Sequence, residues 1–187
     1  MPVAGSSLIH PHAQLISTSN APNLMRRELE ASKHYRERRG STFWEDLTAW
    51  EAKSGERYLG KIGRTHFMTT YAPIGVAGDV LAVVEDARCT LDLDPQDLHD
   101  LSSGIARAIT VYDTMGIYSF NLAFFTGTPA DDHFRFHLLF SPRTYFSPQL
   151  GTPDTNAMRN LFNETLCMAF PEEINERLKK GFEGKLP

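Results

Sequence analysis

Apolar residues recur at intervals of three and four along several parts of the chain, and this pattern predicts helices there. The predicted helices cover residues 22–39, 43–53, 94–115, 156–168 and 171–180. The third has the clearest start, because Asp94 supplies an N-cap and Pro95 takes the first helical position. Thr42 and Glu45 have the spacing of a capping box before the second. Glycines are expected to end four of the helices: Gly40, Gly55, Gly116 and Gly181.

Shorter runs of β-branched and aromatic residues predict strands between these helices. They cover residues 57–62, 66–71, 80–84, 118–125 and 133–140. We expect antiparallel pairing, which gives an α+β fold with an antiparallel sheet and flanking helices. Alternation in the last strand places one set of side chains on a face able to do chemistry: His133, Arg135 and His137. The opposite, apolar face is expected to be core and carries Phe134, Phe136, Leu138 and Phe140.

Composition narrows the class of protein. The chain has 187 residues, 41% hydrophobic and 22% charged, which fits a soluble protein of one or two small domains. A net charge of -4 provides no broad basic surface, so we expect no nucleic-acid partner. Cys89 and Cys167 form no C-x-x-C pair, which favours a reducing cytoplasm. No apolar run reaches the roughly 18 residues of a membrane helix, so we expect no membrane partner.

Two histidines near the start of the chain are candidates for phosphoryl chemistry. On an extended segment, His10, His12 and Gln14 share a face, and Pro11 favours an edge or distorted strand. A neutral imidazole, with a reference pKa of about 6.5, can attack phosphorus and form a covalent intermediate. Ser7 and Gln14 could then donate hydrogen bonds to the phosphate oxygens. The spacing alone favours the alternative, a pair of half-exposed histidines beside a proline.

The longer string from Gly5 to Gln14, Gly-Ser-Ser-Leu-Ile-His-Pro-His-Ala-Gln, resembles the active-site motif of galactose-1-phosphate uridylyltransferases. These enzymes belong to the histidine triad superfamily. Further blocks resemble that family in the same order and cover most of the chain: Glu28, Thr65-His66-Phe67 with Tyr71-Ala72-Pro73, and His133 to His137. The resemblance implies a fold of the histidine triad (HIT-like) type. It also implies transfer of a nucleoside monophosphate between a nucleotide sugar and a sugar phosphate or phosphate.

The resemblance assigns roles to individual residues. It makes His12 the nucleophile and His10 a zinc ligand, with Ser7 and Gln14 holding the phosphates. It also implies a second site for zinc or iron, formed by Glu28, His66 and His137. Leu139 stands where the family has a fourth ligand, so three donors remain. In the alternative, the two strand histidines are satisfied by hydrogen bonds and Glu28 is a solvated helix residue.

The resemblance also predicts the organisation of the chain. Residues 1–55 correspond to the end of a first HIT-like repeat with the active-site motif and a helical linker, and residues 56–187 to a second repeat. A sheet that lacks half of its strands exposes an edge, so we expect a homodimer that covers it. Residues 156–167 match the sugar-recognition stretch of the family poorly, which puts galactose specificity in doubt. A hydrolase that passes the intermediate to water, and a non-catalytic nucleotide-binding or dimerising module, are the alternatives.

Other aromatic and histidine residues are interpreted as structural. The residues next to His34 and His99 in the sequence give neither histidine a functional motif, and both are predicted on helix surfaces. Trp44, Trp50 and the phenylalanine-rich face of the last strand are predicted to be core.

Overall fold

The computed structural model describes residues 20–75, 77–143 and 169–184. Within these ranges four α-helices are present: α1 (Asn23–Arg39), α2 (Phe43–Ser54), α3 (Pro95–Thr114) and α4 (Pro171–Phe182). The strands are β1 (Tyr58–Ile62), β2 (Thr65–Thr69), β3 (Val80–Val84), β4 (Ser119–Phe125) and β5 (His137–Arg143). All neighbouring strands are antiparallel, in the order β1-β2-β3-β5-β4. The predicted α+β fold is confirmed.

The helix boundaries follow from capping interactions that the sequence predicts. At α2 the Glu45 backbone N–H donates to Thr42 Oγ1 at 3.2 Å, and the Thr42 N–H donates to Glu45 Oε2 at 3.1 Å. Asp94 and Asp97 form the same reciprocal cap at α3. After α1, Gly40 has φ of 77°, a left-handed conformation that is costly for residues with a side chain. The predicted caps of these helices are therefore confirmed.

The sheet has a different helix layer on each side. Helices α3 and α4 cover the side that we call the α3 face. Its buried residues include Phe67, Val80, Ala82, Val84, Phe136, Leu138 and Phe140. Helices α1 and α2 cover the other side, which we call the α1 face. Its buried cluster comprises Met25, Trp44, Met68, Leu81, Val83, Phe125 and Phe134.

One part of the predicted face assignment is wrong. Phe136, Leu138 and Phe140 lie on the α3 face as predicted, but Phe134 packs with Trp44 on the α1 face. The reason is that β5 begins at His137 rather than His133. The Phe134 N–H donates to the Asp131 carbonyl in a turn. Side chains alternate strictly only in extended backbone, so the prediction fails before the strand begins.

Two further predictions are corrected. Gly181 does not end α4, because it lies buried inside the helix, which continues to Phe182; the left-handed glycine is Gly184, with φ of 69°. Trp50 is not core, since 64% of its surface is exposed. The predicted helix over residues 156–168 lies outside the described residues. The division of the chain into parts of two repeats at residues 55 and 56 stays a prediction.

A search of the described residues for a helix both long and apolar enough to cross a membrane finds none.

Candidate functional site

A row of side chains crosses the α1 face where strand pairing brings the predicted ligands near one another. His66 on β2 pairs with Val83 on β3, and Val83 pairs with His137 on β5. Phe125 on β4 pairs with His137 from the other side. Since paired residues share a face, His66 and His137 point toward the same helix layer, with Val83 between them.

His137 lies at the buried end of this row. Only 2% of its surface is exposed. Its Nδ1 lies 3.0 Å from the carbonyl oxygen of Arg135, which can only accept, so Nδ1 carries a hydrogen. Its Nε2 lies 3.3 Å from Oε2 of Glu28, on α1. The structure therefore brings two of the predicted ligands, Glu28 and His137, into direct contact.

His66 has different partners. Its Nε2 lies 2.7 Å from Glu85 Oε1 and its Nδ1 lies 2.8 Å from Tyr58 Oη. Lys61 also donates to Glu85, at 2.7 Å and 2.8 Å. Burial opposes ionisation of Glu85, but the hydrogen bonds from Lys61 and His66 outweigh it and lower the pKa of the carboxyl. An ionised Glu85 accepts from Nε2–H, which leaves Nδ1 to accept from the Tyr58 hydroxyl.

Tyr58 completes this polar chain as a donor. Burial raises the pKa of its phenol, and the nearby charge of Glu85 raises it further. The hydroxyl therefore keeps its proton and donates it in the hydrogen bond to His66. Both ring nitrogens of His66 are thus engaged by protein groups.

The described residues do not fit a metal centre. None of their histidine, cysteine, aspartate and glutamate side chains gather in a group of three or more that could hold an ion. Glu28 and His137 supply one carboxylate and one imidazole, while His66 is bound elsewhere. Leu139, at the fourth position, packs against the apolar cluster of the α1 face. A zinc site needs three or four donors around one point.

A cavity of about 430 Å³ adjoins the row between α2 and the ends of β2 and β3. Its wall combines apolar side chains, chiefly Trp44 and Val83, with charged ones. Arg135, ion-paired with Glu45, stands on one side, and Glu85 stands with His66 on the other. Burial opposes ionisation of Glu45, but hydrogen bonds within the Thr42 cap and from Arg135 prevail and lower the pKa of the carboxyl.

Sequence reasoning missed the roles of Tyr58 and Glu85 in this region, and it also missed the contact of Trp44 with His137. Pairing the predicted β2 and β3 would have placed Glu85, the residue after β3, next to His66. The position of Trp44 depends on how α2 packs on the sheet, which no local pattern reveals. His34 and His99 are exposed on α1 and α3, as predicted. The nucleophile His12, with Ser7, His10 and Gln14, lies outside the described residues.

Comparison with known proteins identifies solved structures with a similar fold. No family model matches the chain. A solved structure of a uridylyltransferase superposes with a TM-score of 0.75 and 18% identity, over 98% of this chain and 58% of that one. A uridylyltransferase mutant gives 0.70 and 16%, over 89% and 55%. A zinc-bound histidine triad family protein from Mycobacterium smegmatis gives 0.51 and 12%, over 74% and 92%.

The chain therefore shares its fold with solved uridylyltransferases and with a histidine triad family protein, and the resemblance seen in the sequence is confirmed at the level of the fold. A curated relative, an uncharacterized protein of Archaeoglobus fulgidus, is 25% identical over 177 residues. That match covers 95% of this chain and 52% of the relative. The chain thus spans about half the length of this relative.

Proposed function

We propose that the chain is a nucleotidyltransferase of the hexose-1-phosphate uridylyltransferase type, working through a nucleotidyl-His12 intermediate. The observation that carries the proposal is the His10-Pro11-His12-Ala13-Gln14 motif in a chain whose fold superposes on a uridylyltransferase over 98% of its length. The motif indicates nucleotidyl transfer through a histidine, and proteins described as uridylyltransferases have this fold.

The proposed reaction has two displacements at the same phosphorus. A nitrogen of the neutral His12 imidazole attacks the α-phosphorus of a nucleotide sugar, and the bond from that phosphorus to the bridging oxygen breaks. The sugar 1-phosphate leaves with the electron pair. In the second displacement a phosphate oxygen of the acceptor attacks the phosphorus, and the bond to His12 breaks. Ser7 and Gln14 donate hydrogen bonds to the phosphoryl oxygens as their charge changes.

Zinc, which the resemblance assigns to His10, and zinc or iron at the second site enter no step of this scheme. The groups that act are the imidazole of His12 and the donors beside it. Residues of the α1 face, including His66 and His137, take no part in the proposed displacements.

The test is formation of the covalent intermediate. The full chain is incubated with α-³²P-labelled UDP-glucose or ADP-glucose and examined for an acid-labile, protein-bound label. We expect labelling in the wild type and in His34→Ala, which removes an exposed histidine of α1, and no labelling in His12→Ala. Equal labelling in His12→Ala, or none with any common nucleotide sugar, would refute the proposal.

The acceptor is identified by chasing the labelled protein. Loss of label to a sugar 1-phosphate or to inorganic phosphate, with recovery of a nucleotide sugar or nucleoside diphosphate, supports transfer. Release of nucleoside monophosphate in buffer alone, at the same rate, identifies the hydrolase alternative. Nucleotide binding in a thermal-shift measurement without any labelling identifies the non-catalytic module.

We also propose that the protein forms a homodimer through β4. This strand pairs with β5 on one side, and its sequence Ser-Phe-Asn-Leu-Ala-Phe-Phe contains no charge or proline that would discourage pairing. Leu122 and Phe124 are 49% and 52% exposed. We expect a dimer by light scattering at micromolar concentration, a monomer for Leu122→Lys, and a dimer for Leu98→Lys, which changes an exposed leucine of α3. A monomeric wild type contradicts this part of the proposal.

A further inference from the structure

We infer that this chain has replaced the second metal site that the family resemblance implies by a metal-free cluster in which the indole of Trp44 covers the face of the His137 ring turned toward His66. We call Trp44, Phe125, His137 and Glu28 the His137 cluster. The His137 cluster attaches α1 and α2 to the sheet. In a metal site, an ion shared between a helix and two strands would make this attachment. The inference concerns the α1 face and is independent of the reaction proposed for His12.

Aromatic rings cover both faces of the His137 imidazole. The Phe125 ring is parallel to it within 6°, with centroids 4.7 Å apart. The Trp44 ring lies at 4.0 Å with an angle of 29°. One face of an imidazole cannot accommodate both rings at these distances, so they lie on opposite faces. Phe125 belongs to β4, the neighbour of β5 on one side, and Trp44 therefore occupies the other side, above Val83.

That position is the one a shared metal would need. His66 and His137 are two strand spacings of about 4.8 Å apart, so their backbones are separated by roughly 10 Å. Zinc–nitrogen bonds of about 2.0–2.1 Å require the two coordinating nitrogens within about 4 Å of each other. The rings would have to turn toward each other over Val83. The Trp44 indole is stacked on the face of His137 opposite Phe125, so it stands in the path of this movement.

The indole is itself fixed in place. Trp44 is 6% exposed, and its Nε1–H donates to Ser32 Oγ on α1 at 3.2 Å. Its ring also meets Phe134 edge to face at 5.8 Å. The hydrogen bond from Trp44 to Ser32 joins α2 to α1, while the stacked indole and the Glu28 carboxylate place both helices against His137. Because the buried Glu28 Oε2 accepts no hydrogen bond, ring stacking on His137 is the main contact that holds the cluster together.

The first test measures metal content. The full chain, Glu28→Gln and His66→Gln are purified under identical conditions, incubated with excess Zn²⁺ or Fe²⁺, desalted and analysed by mass spectrometry of the metals. We expect the same stoichiometry in all three, because any metal held by residues outside the cluster is unaffected. Loss of about one ion per chain in either variant overturns the inference. Should Glu28→Gln fail to fold by circular dichroism, His66→Gln decides, since the hydrogen bonds of the His66 ring go to Tyr58 and Glu85, which lie outside the His137 cluster.

The second test examines the role of Trp44. Leu139→His restores a donor, and Trp44→Ala combined with Leu139→His also removes the indole. We expect one additional Co²⁺ per chain, with its visible absorption, in the double variant only. Trp50→Ala combined with Leu139→His is the matched control, because Trp50 is exposed on the same helix. Binding by Leu139→His alone, or no binding by the double variant, shows that Trp44 is not what closes the site.

Discussion

The two faces of the sheet are built on different principles. On the α3 face, buried phenylalanine, valine and leucine side chains pack against α3 and α4. On the α1 face, the apolar cluster is interrupted by His137, which contacts Glu28, and bordered by Arg135, which is ion-paired with Glu45. Apolar packing is non-directional, whereas each polar pair must be satisfied by one particular partner. We therefore expect apolar burial to contribute more to stability on the α3 face, and specific polar contacts to contribute more to helix placement on the α1 face.

The largest effect is expected from a pair of neighbours in β2 that point to opposite faces. Phe67 lies on the α3 face and Met68 on the α1 face, with 0% and 1% of their surfaces exposed. We expect Phe67→Ala to lower the free energy of unfolding by about 4 kcal/mol and Met68→Ala by about 3 kcal/mol, because a larger cavity remains after the first. Chemical denaturation measures both. A greater loss for Met68→Ala would reverse the comparison.

A polar clamp at the edge of the α3 face is expected to come next. Arg64 donates to both carboxylate oxygens of Asp97, at 2.7 Å and 2.6 Å, and these bonds lower the pKa of Asp97. We expect Asp97→Asn to cost about 3 kcal/mol at pH 7, because Asp97 is buried and its partner keeps its charge. Denaturation curves of both proteins measure this difference.

The pH dependence of that difference has a defined sign. A carboxyl whose folded pKa is depressed contributes stability above its unfolded pKa of about 3.9, and loses it as the pH falls through the folded value. The gap between wild type and Asp97→Asn should therefore be full at pH 7 and shrink below about pH 4. Asp113→Asn, at an exposed position of α3, is the control and should show little change at either pH. A gap that persists unchanged in acid would rule out the ionised pair as its source.

Close packing on the α3 face is tested by adding one methyl group. A Cβ at Gly104, on α3, would lie 2.2 Å from two atoms of the Phe67 ring. We expect Gly104→Ala to cost about 2 kcal/mol through overpacking, in spite of the better helix propensity of alanine. The double variant with Gly104→Ala and Phe67→Leu should lose less stability than the sum of the losses of the two single variants. Stabilisation by Gly104→Ala alone would show that the helix and sheet can separate at little cost.

The smallest effect is expected from the cap of α2, on the α1 face. Thr42→Ala removes the hydroxyl that accepts from the Glu45 N–H, and we expect a loss of about 1 kcal/mol in thermal or chemical unfolding. Thr42→Ser keeps the hydroxyl and should lose less. Equal losses would assign the effect to packing of the threonine methyl group.

Local patterns predicted most of the fold. The caps at Thr42 and Asp94 and the apolar run over Val80–Val84 lie at the predicted positions, because each depends on residues adjacent in sequence. Phe134 was assigned to the wrong face because a turn delays the start of β5; the turn is closed by the nearby Asp131, and the Phe136 N–H that follows it donates to the distant Ala87. Strand register decided the partners of the histidines, and no single segment encodes register. The proximity of Glu28 and His137 was anticipated from the family resemblance, while the contact of His66 with Glu85 required pairing the two predicted strands in the correct register.

The strand order has a consequence for synthesis of the chain on the ribosome. β5 is the last strand to be made among those described, yet it lies between β3 and β4. Until residues 137–143 have left the exit tunnel, β4 lacks its partner and β3 is unpaired on one edge. Nascent chains arrested shortly before His137 should therefore be digested by protease, and those that have also released α4, which covers the α3 face, should resist it.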